Sequence, residues 1–171
     1  IRRDGLRVRT PATDELLTIR PAVDSDPARL GAQDCVIVSV KGQSLPAVAA
    51  SIAPLLKGDT TIVTAMNGVP WWFFDRLPYG GGTQRLESLD PGGALAHAMP
   101  TERIVGCVVH LAASTPEPGL VSHNHGTRLV LGEPGGTDSG RMARVADALE
   151  AAGFEVNRSA FIEKDFWVKL L

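Results

Sequence analysis

Apolar residues along this chain fall into short runs whose spacing changes from segment to segment, and those changes outline an α/β protein. Cys35-Val36-Ile37-Val38-Ser39-Val40 and Thr61-Ile62-Val63-Thr64-Ala65 are compact runs rich in Val and Ile, the pattern of strands buried on both faces. Between them Leu45, Val48, Ala49, Ile52, Leu55 and Leu56 recur at helical spacing over Ser44 to Leu56. A helical crossover of that length suits a parallel pair, so the three segments predict a right-handed βαβ unit. The carboxyl ends of its strands then lie side by side, which brings Lys41 and Asn67 to one rim of the sheet. Open α/β sheets hold their ligands at that rim.

Elsewhere the pattern is more varied. Leu6 to Arg9 and Leu16 to Arg20 predict a small antiparallel ribbon joined through Thr10-Pro11-Ala12-Thr13-Asp14. Asp26 followed by Pro27 predicts one capped helical turn. Pro70 to Phe74 reads as helical or turn-rich, and Gly80-Gly81-Gly82 breaks regular structure. Arg103 to Leu111 predicts a long strand. Gly119 to Ser122 and Thr127 to Leu131 predict two edge strands joined by a His123-Asn124-His125-Gly126 turn. Met142, Val145, Ala146, Leu149 and Ala152 share a helix face closed by Gly153, Phe154 to Val156 follows as a strand, and Ser159 is placed to cap a final helix from Ala160. The expected fold is α/β with a mostly parallel sheet and an antiparallel edge.

Composition narrows the classes. A 171-residue chain that is 44% hydrophobic and 21% charged can build a substantial core. Its net charge of -2, with basic residues scattered, gives no electrostatic basis for a nucleic-acid partner. Its apolar runs are too short for a membrane span, so no membrane partner is expected. Cys35 and Cys107 both sit in apolar strand-like runs, which predicts reduced thiols and a cytoplasmic setting.

Lys169 stands at helical spacing with Ile162, Phe166 and Leu170, which directs its ammonium along an apolar face. A lysine drawn partly from water has a lowered pKa and donates protons more readily, a general-acid setting. The same spacing also allows the side chain to snorkel into solvent. Lys41 and Asn67 have plain readings too, as a surface lysine and as an Asn-Gly turn, and their position at adjacent strand ends is what favours a ligand site. His110, His123 and His125 invite a metal reading, yet no cysteine or carboxylate joins them at a standard spacing, and no metal is expected. The chain has neither a G-x-S-x-G elbow nor a G-x-G-x-x-G fingerprint, and Gly132-Glu133-Pro134-Gly135-Gly136 lacks the lysine of a phosphate loop.

Several marks in order, Val40-Lys41-Gly42-Gln43, Met66-Asn67-Gly68-Val69, Val105-Gly106-Cys107-Val108-Val109-His110, Leu131-Gly132 and Trp167-Val168-Lys169-Leu170, resemble the ketopantoate reductases (2-dehydropantoate 2-reductases). That family lies within the 6-phosphogluconate-dehydrogenase-like group, and the resemblance covers essentially the whole chain. It implies a partial NADPH-binding Rossmann-like domain over 1–158, with 159–171 starting an interdomain helix that leads to a C-terminal helical domain. It implies that Lys41 and Asn67 border the nicotinamide ribose and the substrate, and that Ala112 meets the cofactor through its backbone. Lys169 takes the place of the family's catalytic lysine, which binds a small keto acid together with Asn67 and protonates its ketone oxygen. By the same resemblance the first βα unit, with the glycine-rich turn and the arginine that reads the 2′-phosphate, would precede Ile1, and the helical domain would follow Leu171. On that basis the chain alone is expected to be an inactive fragment of a reductase that allows a homodimer. The other reading kept open is a degenerate or truncated α/β scaffold or association module that binds no cofactor.

Overall fold

A computed structural model describes residues 1–10, 15–77 and 84–171. The expected turn over 11–14 and the Gly80–Gly82 break lie outside the described residues. Among those residues seven strands form one sheet. β1 (Leu6–Arg9) and β2 (Leu16–Ile19) make the antiparallel ribbon. β3 (Cys35–Val38), α1 (Leu45–Ser51) and β4 (Thr61–Ala65) make the parallel βαβ unit, with Cys35 opposite Thr61 and Val38 opposite Thr64. β5 (Ile104–Glu117) joins β4 in parallel, and β6 (Leu120–Gly132) returns antiparallel to it. The order is β2-β1-β6-β5-β4-β3, with β7 (Glu155–Arg158) pairing parallel to a second part of β6. The sheet is mostly parallel, as the periodicity predicts, and Rossmann-like, as the resemblance implies.

Local chemistry explains where the elements depart from expectation. α1 ends at Ser51 and passes into a single tight turn over Ala53–Leu55, because Pro54 has no N–H with which to continue the helical ladder. α2 (Ala94–Ala98) is a helix the periodicity does not announce. Its start is held by the buried Asp90 carboxylate, which accepts from the Leu95 N–H at 2.7 Å and the Ala96 N–H at 3.0 Å. His123-Asn124-His125-Gly126 is not a turn but part of β6. Between the pairs His110–Arg128 and Ala112–His125 the strand carries one extra residue, a bulge. Gly126 absorbs it at φ 76°, where a Cβ would lie 2.5 Å from the His110 carbonyl oxygen.

β3 corrects a second expectation. β4 has strands on both sides and buries Thr61 to Thr64, whereas β3 lies at the end of the strand order, with Ile37 54% exposed and Cys35 exposed as well. A Val/Ile run reports suitability for a strand, not the number of layers that cover it. Cys107, by contrast, is buried.

Two cores flank the sheet because β5 alternates. Ile104 and Val108 point into a cluster with Leu45, Trp72, Leu95 and Phe166, while Val105 and Cys107 face Leu131, Val145 and Ala146. The second cluster is covered by α3 (Arg141–Ala151), and the first by α1, α2 and α4 (Ile162–Leu170). α4 begins after Phe161 rather than at Ala160, and Ser159 stands outside it. The Ser159 hydroxyl accepts from the Phe161 N–H at 3.1 Å and donates to the Asp165 carboxylate. α4 packs on the sheet through Ile162 and Phe166, which are 0% and 1% exposed, and Phe166 meets Trp72 edge to face at 5.6 Å. Gly106 permits this approach, since a Cβ there would lie 2.8 Å from the Trp72 ring. Among the described residues no helix is long and apolar enough to cross a membrane.

Candidate functional site

β3, β4 and β5 run parallel, so their carboxyl ends open on the same side of the sheet. A cleft of about 330 Å³ lies there, lined by Val40, Lys41, Gln43, Met66, Asn67 and Val109 among others. Lys41 follows β3 and Asn67 follows β4, so the two residues singled out from the sequence share one cleft. Lys41 is exposed, and its side chain has no partner among the described residues.

Lys169 completes the rim from a distant part of the chain. It lies in the last turn of α4, whose apolar anchors direct the side chain over the middle of β5, at Val109. Its Nζ donates to the Asn67 Oδ1 at 3.0 Å, across 102 residues of sequence, and to the Val109 carbonyl oxygen. The same Asn67 oxygen accepts the Val109 N–H at 3.4 Å. Lys169 is therefore held rather than solvated. An ammonium has three N–H donors, and with two engaged here one remains for a ligand.

The electrostatics favour a proton donor at this position. Burial lowers the Lys169 pKa, the Arg128 guanidinium lowers it further, and the Cys107 thiol works weakly the other way. Burial pushes the Cys107 thiol itself up to about 12, so it remains a neutral packing group. His110 has its pKa lowered by burial first and then by Lys169 and Arg128, with Asp165 opposing. Burial first, and the cationic neighbours after it, thus shift Lys169 and His110 toward their neutral forms.

The other sequence candidates fall away from this centre. Ala112 lies in β5 opposite His125, next to the bulge, and is not among the residues lining the cleft. His110 faces Arg128 across the β5–β6 ladder, while His123 and His125 lie farther along β6. Among the described residues no group of three or more His, Cys, Asp or Glu side chains is arranged to hold a metal. The glycine-rich turn before α3 does not offer its N–H groups to a phosphate. Gly135 donates to the buried Glu163 carboxylate at 2.7 Å, and Ser139 and Met142 donate to that of Glu133. The sequence gives no sign of the Val109 backbone as a lysine anchor, because a carbonyl carries no side-chain signature.

The chain as a whole is similar to several known proteins. A family model described as ketopantoate reductase PanE/ApbA matches residues 1–71. A 2-dehydropantoate 2-reductase of Mesorhizobium japonicum is 38% identical over 99% of this chain and 52% of its own length. A crystal structure from Ralstonia solanacearum, described provisionally as a ketopantoate reductase, is 46% identical with a TM-score of 0.93, over 99% of this chain and 52% of that one. The 2-dehydropantoate 2-reductase of Geobacter metallireducens follows at 28% identity and a TM-score of 0.78, over 99% of this chain and 50% of that one. The chain spans about half the length of the curated relatives it matches. On sequence and on fold alike, the chain is similar to ketopantoate reductases over nearly its whole length.

Proposed function

We propose that this chain forms the nucleotide-binding part of an enzyme that reduces ketopantoate, or a closely related 2-oxo acid, to the 2-hydroxy acid with NADPH. The observation that carries this reading is the Lys169 ammonium, held at 3.0 Å from Asn67 at the carboxyl rim of the parallel strands with one donor free. The cleft suits the ribose and nicotinamide end of a dinucleotide, with the exposed Lys41 on one wall and the Asn67 amide on the other. A backbone cradle for the pyrophosphate is not found among the described residues. When bound, NADPH would supply a hydride to the ketone carbon.

The chain's own residues supply the rest. Lys169 donates a hydrogen bond to the ketone oxygen, stabilises the charge that grows there as the carbon is reduced, and passes its proton to form the alcohol. Its lowered pKa reduces the cost of that transfer near neutral pH. Asn67 holds the lysine through Oδ1 and keeps its amide N–H donors for the substrate or the ribose. Lys41 meets the anionic or hydroxyl-bearing part of the cofactor, and the Ala112 backbone borders it. Residues 1–158 make up the nucleotide-binding domain, and 159–171 the helix that leads toward a substrate-binding domain in proteins of the relatives' length.

The test is NADPH oxidation by the full-length gene product, beginning with ketopantoate and extending over other 2-oxo acids. Turnover of ketopantoate is expected. Binding of NADPH without turnover of any member would remove the reductase reading, and no NADPH binding at all would favour the scaffold reading.

A further inference from the structure

The glycine-rich turn that follows β6 takes no part in the proposed chemistry, yet two buried carboxylates bracket it. Glu133 accepts the N–H groups of Ser139 and Met142 and the Ser139 hydroxyl, with donors on both of its oxygens. That fixes the turn to the start of α3. Glu163, 1% exposed, comes from the first turn of α4 and accepts the Gly135 N–H at 2.7 Å through Oε1. Its Oε2 is buried and has no hydrogen-bond partner among the described residues. A buried carboxyl satisfied on one oxygen alone is less stable there than an apolar side chain of the same shape, so packing does not account for it.

We infer that Glu163 is a positioning residue for the reduction: its bond to Gly135 fixes the start of α4 and thereby places the Lys169 ammonium at the cleft. The inference rests on the proposed reductase reading and adds to it the part of the fold that aims the proton donor. Glu163 and Lys169 lie three residues before and three after Phe166, whose ring is packed on Trp72. Phe166 is therefore a fulcrum, with one arm held by the turn and the other ending at Asn67 and Val109. Each arm is about 4.5 Å long on the helix axis, so a shift at the start moves the lysine by a comparable distance. Displacement of that order at a reacting centre lowers the rate. The seat of the helix start is close-fitting. A Cβ on Gly135 would lie 2.6 Å from the Arg76 carbonyl oxygen, and one on Gly136 2.6 Å from that of Ala160. Just before the helix, Ser159 donates its N–H to the Leu131 carbonyl at 2.6 Å. Burial raises the Glu163 pKa, with the N–H groups of Gly135 and of Glu163 itself opposing, which shifts the carboxyl toward its neutral form. The Gly135 bond needs an acceptor oxygen rather than a charge, and an amide supplies one.

The experiment uses the full-length protein with NADPH and ketopantoate, and measures kcat per NADPH-binding site together with NADPH affinity from direct binding. Glu163→Met keeps the length of the side chain and removes the acceptor. Its kcat per site should fall about tenfold, with NADPH affinity within about twofold of native. Glu163→Gln, which restores an acceptor oxygen without the charge, should return kcat to within about threefold of native. Should Glu163→Met not fold, Glu163→Asp, which withdraws the carboxyl from Gly135 by one methylene, takes its place with the same expectation. A native kcat per site in the variant lacking the Gly135 bond, even with fewer binding sites, would show that Glu163 serves the fold alone and would overturn the inference while leaving the reductase reading intact. A rate that Glu163→Gln does not restore, or an NADPH affinity that falls in proportion to kcat, would overturn it in the same way. Native protein that oxidises NADPH with ketopantoate and with no other 2-oxo acid either would sink only the breadth of the substrate class, whereas no oxidation with any 2-oxo acid would sink both readings.

Discussion

Two lysines stand at one cleft, Lys41 in its lining and Lys169 bonded to the lining residues Asn67 and Val109, and their surroundings are opposite. Lys169 is partly buried, hydrogen-bonded to Asn67 and to the Val109 carbonyl, and carried by a helix anchored in the core. Lys41 follows the edge strand, is exposed, and has no partner among the described residues. The difference separates two tasks. A proton donor must be held before the substrate arrives, because misplacement by an ångström costs rate, while a cation that meets a charged ligand can stay mobile and solvated until it binds.

The largest expected effect is on the held lysine. In the full-length enzyme Lys169→Ala should lower kcat by about 10²- to 10⁴-fold, the usual worth of a positioned acid, measured by steady-state NADPH oxidation. Loosening the helix beneath it should act mainly through stability. Phe166→Ala removes a 1%-exposed ring packed on Trp72 and should cost about 3–5 kcal/mol in denaturant unfolding. Asn67→Ala leaves the lysine only its carbonyl anchor and should lower kcat about tenfold, in line with one hydrogen bond to a charged group.

A pH series sharpens the contrast further. Lys169 must be protonated to act, so kcat/KM should fall on the alkaline side with a midpoint below the ordinary lysine value. Stability responds in the opposite direction. Between the folded and unfolded pKa of Lys169 the unfolded chain binds more protons, so this group's contribution to stability rises with pH across that window. An alkaline limb at or above the ordinary lysine value would show that the lysine is not drawn from water. The smallest effect is at Lys41: Lys41→Ala should weaken NADPH binding only a few-fold, and less in high salt, as for an exposed charge.

The sequence disclosed one of these lysines more fully than the other. The β3–α1–β4 unit is legible because its periodicities are local, and with it the placement of Lys41 and Asn67 at neighbouring strand ends. Helical spacing also shows that Lys169 lies along an apolar face, but not what that face meets. Its contact with Asn67 depends on α4 crossing β5, which is permitted by a glycine at 106 and a tryptophan at 72 that no short-range pattern connects. Where the reading fails, the causes are specific. A bulge at Gly126 looks like a turn in sequence, and α2 depends on a cap from Asp90, placed five residues before the N–H it holds. Burial at β3 depends on neighbouring layers rather than on its own apolar run.

The most direct test compares the two lysines in one protein. In the full-length enzyme with ketopantoate, kcat is measured for Lys169→Ala and Lys41→Ala alongside NADPH affinity from direct binding. Lys169→Ala should lose about a hundredfold or more in kcat with NADPH affinity within about twofold of native, and Lys41→Ala should show the reverse emphasis. A Lys169→Ala enzyme that keeps its kcat, or loses NADPH affinity in proportion to rate, would contradict the assignment of Lys169 as the proton donor.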